Sequence, residues 1–216
     1  MTQSTEQSSR AEPALVRDVA ARFELSDDAR ALLLADHKPA EFFALLGRRE
    51  LYRDAFRFAA HYLPKRRAIW WGCLCAWELY RDAPPPAEEA PLRAVVDWIR
   101  EPSEPHRRAA FAAGRQRKAG KIGSALAMAV FSAEGSLAPD DAPQVEPPDA
   151  QAAGFVAAAV ILAGQMVPRK QRGKYQHHFL ELAVDLSRGN ALCEGAQLAA
   201  QALVAQPAVP HGIGAS

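Results

Sequence analysis

The chain has 216 residues and a mass of 23.5 kDa, which is enough for one domain with a substantial core. Alanine occupies 45 positions, whereas valine, isoleucine and threonine together occupy 19, a composition that favours helices over sheets. A formal net charge of +1 excludes the general positive field of a dedicated nucleic-acid-binding protein, so any such role needs a local basic patch.

The two ends of the chain differ in composition from its middle. Residues 1–12 are polar and carry no large apolar side chain, which predicts a disordered arm without a secretory signal. Residues 13–204 are predicted to form a single helical domain, and residues 205–216 a frayed tail. Three cysteines argue against a disulfide framework and favour a reducing compartment, so we expect a cytoplasmic protein.

Apolar side chains recur every three or four positions through the predicted domain, a spacing typical of amphipathic helices. The pattern predicts an all-α fold, an irregular bundle of about eight to ten helices. In chain order the predicted helices cover residues 13–24, 26–34, 39–63 (one kinked helix or two), 64–82, 87–100, 103–118, 122–133, 150–168 and 173–187.

A second architecture stays open because two segments resemble each other. PKRRAIWW at residues 64–71 and PHRRAAFA at residues 105–112 share four identities at an offset of 41 residues. Helical-hairpin repeats have about this length. The alternative is therefore a short HEAT-like array of helical hairpins.

The predicted helix over residues 64–82 is apolar around most of its circumference, which places it near the centre of the bundle. Trp70 and Trp77 lie on one face of it and are predicted to be mainly structural. Cys73 and Cys75 are two positions apart, so on a helix they point in different directions and cannot share a metal ion. We expect both to be small core residues.

Two neighbouring segments in the second half differ sharply in charge. Residues 134–149 contain five acidic side chains, four prolines and neither lysine nor arginine, which predicts an exposed acidic loop. Residues 150–168 carry no charge, and their length approaches that of a membrane span. Because alanine, glycine and glutamine dominate them, we expect a buried central helix and no membrane span.

Three basic clusters stand where helices are predicted to begin, after Pro64, Pro105 and Pro168. The helix dipole makes cations unfavourable in a first turn by about 0.3–1 kcal/mol, so another interaction has to compensate. An anionic partner, internal pairing with the acidic loop, or solvation of each charge would all do so. We take the first option, and the predicted partner-binding residues are Lys65, Arg66, Arg67, Arg107, Arg108, Arg169, Lys170 and Arg172.

The sequence contains no catalytic signature such as G-x-S-x-G, a P-loop, a dinucleotide fingerprint or H-E-x-x-H. No catalytic residue, cofactor or metal site is therefore predicted. Two alternatives remain. One is an enzyme whose site assembles from distant helices around His177, His178 and Glu181, and the other is a nucleic-acid-binding protein that uses the basic clusters.

Residues 63–73, LPKRRAIWWGC, resemble the hallmark helix of an uncharacterised bacterial domain family, in which a Leu-Pro-basic start leads into paired tryptophans and a small residue or cysteine. Members of that family often belong to gene neighbourhoods of type VI secretion systems. The resemblance implies a partner among secretion-system tip, effector or chaperone proteins. Together with the absence of a catalytic signature, the resemblance leads us to expect a non-enzymatic protein-binding adaptor or accessory chaperone that serves effector loading.

Overall fold

A computed structural model of the chain describes residues 15–33, 37–81, 83–116, 120–139 and 141–189. These residues form ten α-helices and no strand, which confirms the all-α multi-helix bundle. The helices are α1 Val16–Ala20, α2 Asp27–Ala31, α3 Pro39–Arg48, α4 Tyr52–Tyr62, α5 Lys65–Tyr80, α6 Pro86–Arg100, α7 Glu104–Gly114, α8 Lys121–Phe131, α9 Gln151–Met166 and α10 Arg172–Ser187. The predicted arm, the predicted tail and residues 190–204 lie outside the described residues.

The apolar stripe between residues 39 and 63 forms two helices because the backbone turns at Glu50. Glu50 has a φ of 58°, in the left-handed region that ends helices. The amide of Glu50 donates to the carbonyl of Gly47 at 3.0 Å, and the amide of Leu51 donates to the carbonyl of Leu46 at 2.9 Å. This pair of hydrogen bonds is a Schellman motif, built here without the glycine that usually occupies the left-handed position.

Helix α5 is buried over nine consecutive residues, as its nearly continuous apolar surface predicts. Trp71 is fully buried, and its indole nitrogen donates to the carbonyl of Phe179 in α10 at 2.7 Å. The indole also packs edge-on against Phe56 of α4, with ring centroids 6.0 Å apart. A side chain added at Gly72 would collide with Leu126, so α5 and α8 pack closely at that point. Helix α5 therefore joins α4, α8 and α10.

The other residues singled out on α5 also contribute to packing. Trp70 is buried and Trp77 is half-buried. Cys73 and Cys75 are buried free cysteines, and burial raises the pKa of the Cys73 thiol to about 12. Such thiols stay protonated and unreactive near neutral pH.

Helix contacts connect parts of the chain that are far apart in sequence. Helix α8 packs against α6, α7 and α9, while α9 also packs against α4 and α5, and α10 packs against α3, α4 and α5. In a HEAT-like array each hairpin contacts mainly its neighbours. The described helices therefore form an irregular bundle.

Helix α9 has one buried and one uncovered face. Val156, Val160 and Ala163 are buried, whereas Gly154 and Ala158 are exposed. The expectation of a buried central helix is thus correct for one side only, because nothing among the described residues covers the other. None of the described helices is both long enough and apolar enough to cross a membrane.

Candidate functional site

The cluster at residues 65–67 occupies the first turn of α5, where the ends of other helices come close to it. Each side chain donates to a backbone carbonyl at or just beyond the C-terminus of α8, α6 or α10. The pairs are Lys65 Nζ to Ala133 O at 3.0 Å, Arg66 Nε to Ile99 O at 2.7 Å, and Arg67 Nη1 to Leu186 O at 3.5 Å. Carbonyls at a helix C-terminus carry partial negative charge, so they compensate the cations that α5 alone would disfavour.

Arg107 is the clearest departure from the predicted binding surface, because its side chain is only 1 % exposed. Its Nε and Nη2 lie 2.6 and 2.7 Å from the two carboxylate oxygens of Glu104. It also donates to the carbonyls of Phe131 at 2.7 Å and Ser136 at 2.9 Å. The fold therefore places Arg107, one of the predicted partner contacts, inside the bundle and not on its surface. Arg107 is a buried arginine that ties α7 to the end of α8.

Arg108 shares the same carboxylate, with Nε 2.7 Å from Glu104, and donates to the carbonyl of Ala138 at 2.9 Å. Hydrogen bonds from Arg107, with a contribution from Arg108, lower the pKa of Glu104 to about 2. Internal acceptors thus engage both predicted contact residues of this cluster. The acidic loop contributes two of these acceptors, the backbone carbonyl of Ser136 for Arg107 and that of Ala138 for Arg108.

The third cluster lies at the turn between α9 and α10. Arg172 donates from Nη2 to the carbonyl of Gln165 at the end of α9, at 3.1 Å. Arg169 and Lys170 are exposed, and neither has an acceptor among the described residues. These two cations are therefore members of the predicted set that have no internal acceptor within the described part of the chain.

The histidine cluster of the enzyme alternative lies together on α10, but on its solvent-facing side. The carboxylate of Glu181 lies 3.3 Å from Nδ1 of His178 and 3.6 Å from Nε2 of His177. The other ring nitrogen of His178, Nε2, lies 3.7 Å from the carboxylate of Glu78 in α5. The side chains of His177 and Glu181 are 61 % and 59 % exposed. Across the part of the chain that the structure describes, no group of three or more histidine, cysteine, aspartate or glutamate side chains is arranged to hold a metal ion.

A groove between α4 and α9 was not predicted from the sequence. It consists of two adjoining clefts, a first of about 530 Å³ at the N-terminal end of α9 and a second of about 630 Å³ farther along that helix. Both clefts are lined by Arg22, His61 and Ala150. Arg53 and Arg57 of α4 border the second cleft. The α9 groove, as we call these two clefts together, thus has a basic border and a floor of small residues.

Gly154 lies on the floor of the α9 groove and is not explained by packing. A Cβ atom built at this position meets no heavy atom within 4 Å, so the fold itself does not require glycine. Glycine inside a helix costs about 0.5–1 kcal/mol relative to alanine. Gly154 and Ala158 are one helical turn apart, and both are exposed.

His61 lies where the two clefts meet. His61 is 8 % exposed, and its imidazole ring stacks on the ring of Phe23 with the two centroids 5.0 Å apart. The ring nitrogens make no hydrogen bond to any described residue. Burial, assisted by the positive charges of Arg22 and Arg57, lowers the pKa of His61 to about 4, so the imidazole is neutral near neutral pH.

A model of a family of unknown function, DUF6931, matches residues 42–187. The chain belongs to this family. The DUF6931 region includes α4, α5 and α9, and therefore most of the α9 groove, whereas Arg22 lies before it. The expectation of an uncharacterised domain family is confirmed, and residues 63–73 fall inside the matched range. No curated protein and no solved structure matches the chain.

Acidification is expected to destabilise this DUF6931 protein through His61. The pKa of His61 is about 4 in the folded chain and 6.5 ordinarily, so the unfolded chain binds more protons between these values. The stabilising contribution is complete above about pH 6.5 and is lost as the pH falls towards 4, by about 2 kcal/mol at about pH 5. Urea denaturation across this range measures the loss.

The variant for this measurement is His61→Leu, which removes the buried titrating group. The stability of the His61→Leu variant is expected to depend less on pH over this range than that of the wild type. Equal slopes in wild type and His61→Leu would contradict the prediction.

Proposed function

We propose that this chain is a non-enzymatic protein-binding adaptor that holds an acidic, amphipathic helix of another protein in the α9 groove. The observation that carries the proposal is Gly154, the fourth residue of α9, which has open space above it on a floor of small residues. Small side chains let a second helix approach to about 8–10 Å between axes. The space that the fold leaves unused at Gly154 fits such a neighbour.

The length and charge of the groove support a helix as its occupant. Helix α9 has 16 residues and is therefore about 24 Å long, which corresponds to about four turns of a partner helix. Ile161 and Leu162 provide half-buried apolar surface on the floor, while Arg53 and Arg57 provide cations on the border. A helix with apolar residues on one face and carboxylates beside them complements both features.

The contacts of the basic clusters weigh against the nucleic-acid alternative. A binder of that class needs cations that are free to neutralise phosphates. Arg66, Arg67 and Arg107 instead donate to backbone carbonyls of neighbouring helices. The cations that border the α9 groove flank an apolar floor, an arrangement better suited to a protein helix.

The resemblance of residues 63–73 to the domain family with type VI secretion neighbours supplies the biological setting. We place the partner among the tip, effector and chaperone proteins of such a system. The chain would then act as an adaptor or accessory chaperone during effector loading.

Site-specific crosslinking tests the proposal. A photoreactive amino acid at Ala158 is expected to crosslink, in the native host, to a helical segment of a secretion-system protein with acidic residues beside an apolar face. Mass spectrometry of the crosslinked peptide identifies that segment. A crosslinked segment that is basic or lacks an amphipathic pattern would contradict the proposal.

The affinity of the identified partner is then compared between two substitutions at one position. Gly154→Leu fills the groove floor and is expected to weaken binding by about tenfold or more, whereas Gly154→Ala leaves most of the space open. Arg57→Glu is expected to weaken binding as well, while Arg48→Glu, on an exposed end of α3, serves as the charge control. Unchanged affinity in Gly154→Leu would exclude the groove as the binding surface.

Gly154→Ala carries a separate prediction about stability. Because the added methyl group meets open space, the substitution gains helix propensity without a collision. We expect the free energy of unfolding to rise by about 0.5–1 kcal/mol. Urea denaturation measures it, and a decrease would show that Gly154 has a structural role within the isolated chain.

A further inference from the structure

The N-terminal end of α9 opens into the first cleft with unused hydrogen-bond donors. The helix has no side-chain cap, and no acidic residue lies in its first turn. The amide of Gln151 donates to the carbonyl of Pro148, but the amides of Ala152 and Ala153 have no acceptor among the described residues. Ala152 and Ala153 both line the first cleft. Free amides and the helix dipole together favour an anion at such a position.

His61 is an independent sign of a missing ligand. It lines the same cleft, is more than nine-tenths buried, and its ring has no hydrogen-bond partner among the described residues. A neutral imidazole carries one N–H donor and one acceptor, and no described residue pairs with either ring nitrogen of His61. A ligand in the first cleft would supply that partner.

The charged side chains of the first cleft complete the donor set. Arg22 and Lys65 contribute cations, and Asp149 contributes the one carboxylate among the lining residues. Arg22 donates one hydrogen bond, from Nη1 to the carbonyl of His61 at 3.4 Å, and Lys65 donates one to the carbonyl of Ala133. Both side chains therefore retain further N–H donors. The lining side chains have a net charge of about +1 with the imidazole neutral, before the positive end of α9 is added.

We propose that the first cleft is a binding site for a small phosphoryl compound, whose phosphoryl group lies at the N-terminus of α9 among Arg22, His61 and Lys65. A phosphoryl group offers three terminal oxygens, which match donors that converge from a helix end, a guanidinium, an ammonium and an imidazole. A volume of about 530 Å³ leaves room for an attached organic group. This inference goes beyond the adaptor role, and because the first cleft is part of the α9 groove, the two proposed sites overlap at Arg22 and His61.

Three probes separate the possible sources of the anion: inorganic phosphate, adenosine monophosphate as a phosphomonoester, and adenosine as its phosphate-free counterpart. The readout on the full chain is the NMR titration of the His61 ring, alongside calorimetry. We expect inorganic phosphate and the monophosphate to compete for one site and to raise the pKa of His61, because an anion opposes the effect of Arg22 and Arg57. Adenosine alone is expected to leave the ring resonances unchanged.

Binding of inorganic phosphate but not of the monophosphate would contradict a site for a phosphoryl compound with an attached organic group. Absence of any change at His61 with both phosphate probes would overturn the proposal. Since this result comes from the wild-type chain, it does not depend on whether a variant folds.

Variants locate the site. Lys65→Gln and Ala153→Pro are each expected to weaken phosphate binding by about tenfold, and proline is tolerated in the first turn of a helix although it lacks the N–H. Arg53→Gln, which alters only the second cleft, is the matched control. Gly154→Leu is expected to block helix docking but leave phosphate binding intact, so failure of one proposal is distinguishable from failure of the other. Phosphate binding that survives both Lys65→Gln and Ala153→Pro would also refute the site.

Discussion

Replacing Arg107 with alanine is expected to lower the free energy of unfolding by about 3–5 kcal/mol. The guanidinium is buried, pairs with both carboxylate oxygens of Glu104, and satisfies the carbonyls of Phe131 and Ser136. It also lies over the ring of Phe131, 4.6 Å from the centroid. Truncation removes all these contacts, leaves buried acceptors without donors, and creates a cavity between α7 and α8.

Urea denaturation at neutral pH measures this loss, with Arg48→Ala as the control. Arg48 is exposed, so its removal is expected to change the free energy of unfolding by less than about 0.5 kcal/mol. Arg107→Lys tests whether charge alone is sufficient. Lysine has no planar fork with which to bind Glu104 and the two carbonyls together, so most of the loss is expected to remain. A loss below about 1 kcal/mol in Arg107→Ala would contradict a structural role for this side chain.

The Arg107 contacts illustrate what the sequence could and could not predict. The basic first turns of α5 and α7 were recognisable as electrostatically unfavourable from their positions after Pro64 and Pro105 alone. Glu104 pairs with Arg107 from a position only three residues away, but the backbone acceptors of the two clusters are carbonyls near the ends of α6, α8 and α10. These carbonyls lie between about 24 and 119 residues away in the chain. Backbone carbonyls leave no mark in a sequence, so local patterns could not distinguish these acceptors from an external partner.

The helices themselves followed from local signals. The predicted segments 26–34 and 103–118 begin at Ser26 and Ser103, which are the N-caps of α2 and α7. Each serine accepts a hydrogen bond from an amide three residues later. In the predicted helix over residues 173–187, the apolar spacing puts Phe179, Leu182, Ala183 and Leu186 on one face. All of these are buried in α10 except Leu182, which is half-buried. Such signals are local because a helix closes its hydrogen bonds within four residues.

The α9 groove was beyond local reasoning for the opposite reason. Small apolar residues on α9 are equally compatible with close packing inside a core and with an uncovered floor. Which one applies depends on how many helices surround α9, a property of the whole bundle. Arg22 and His61 reach the same cleft from segments that are 39 residues apart, and no sequence pattern links them.

The second large effect concerns Glu88, a buried side chain in the first turn of α6. Its Oε1 and Oε2 accept hydrogen bonds from the amides of Ile122 at 3.2 Å and Gly123 at 2.6 Å, in the first turn of α8. The hydroxyl of Tyr80 donates to Oε1 at 3.0 Å. Glu88 therefore caps a helix that is distant in sequence, and places negative charge at its positive end.

Glu88→Ala is expected to lower the free energy of unfolding by about 3–5 kcal/mol, because two buried amides and a half-buried hydroxyl lose their acceptor. Glu88→Gln keeps one acceptor oxygen and is expected to recover part of that loss. Glu89→Ala is the matched control, since Glu89 is half-exposed and forms only a surface ion pair with Arg93, worth less than about 1 kcal/mol.

Tyr80 gives the Glu88 prediction a second, spectroscopic test. Burial, together with the charge of Glu88 and its hydrogen bond, raises the pKa of the Tyr80 hydroxyl. Glu88→Gln removes the charge but not the burial, so the pKa is expected to fall only part of the way to its ordinary value, as measured by ultraviolet titration in alkaline solution. If stability fell in Glu88→Gln while the titration of Tyr80 stayed unchanged, the loss would have to come from packing, and the capping role of Glu88 would be refuted.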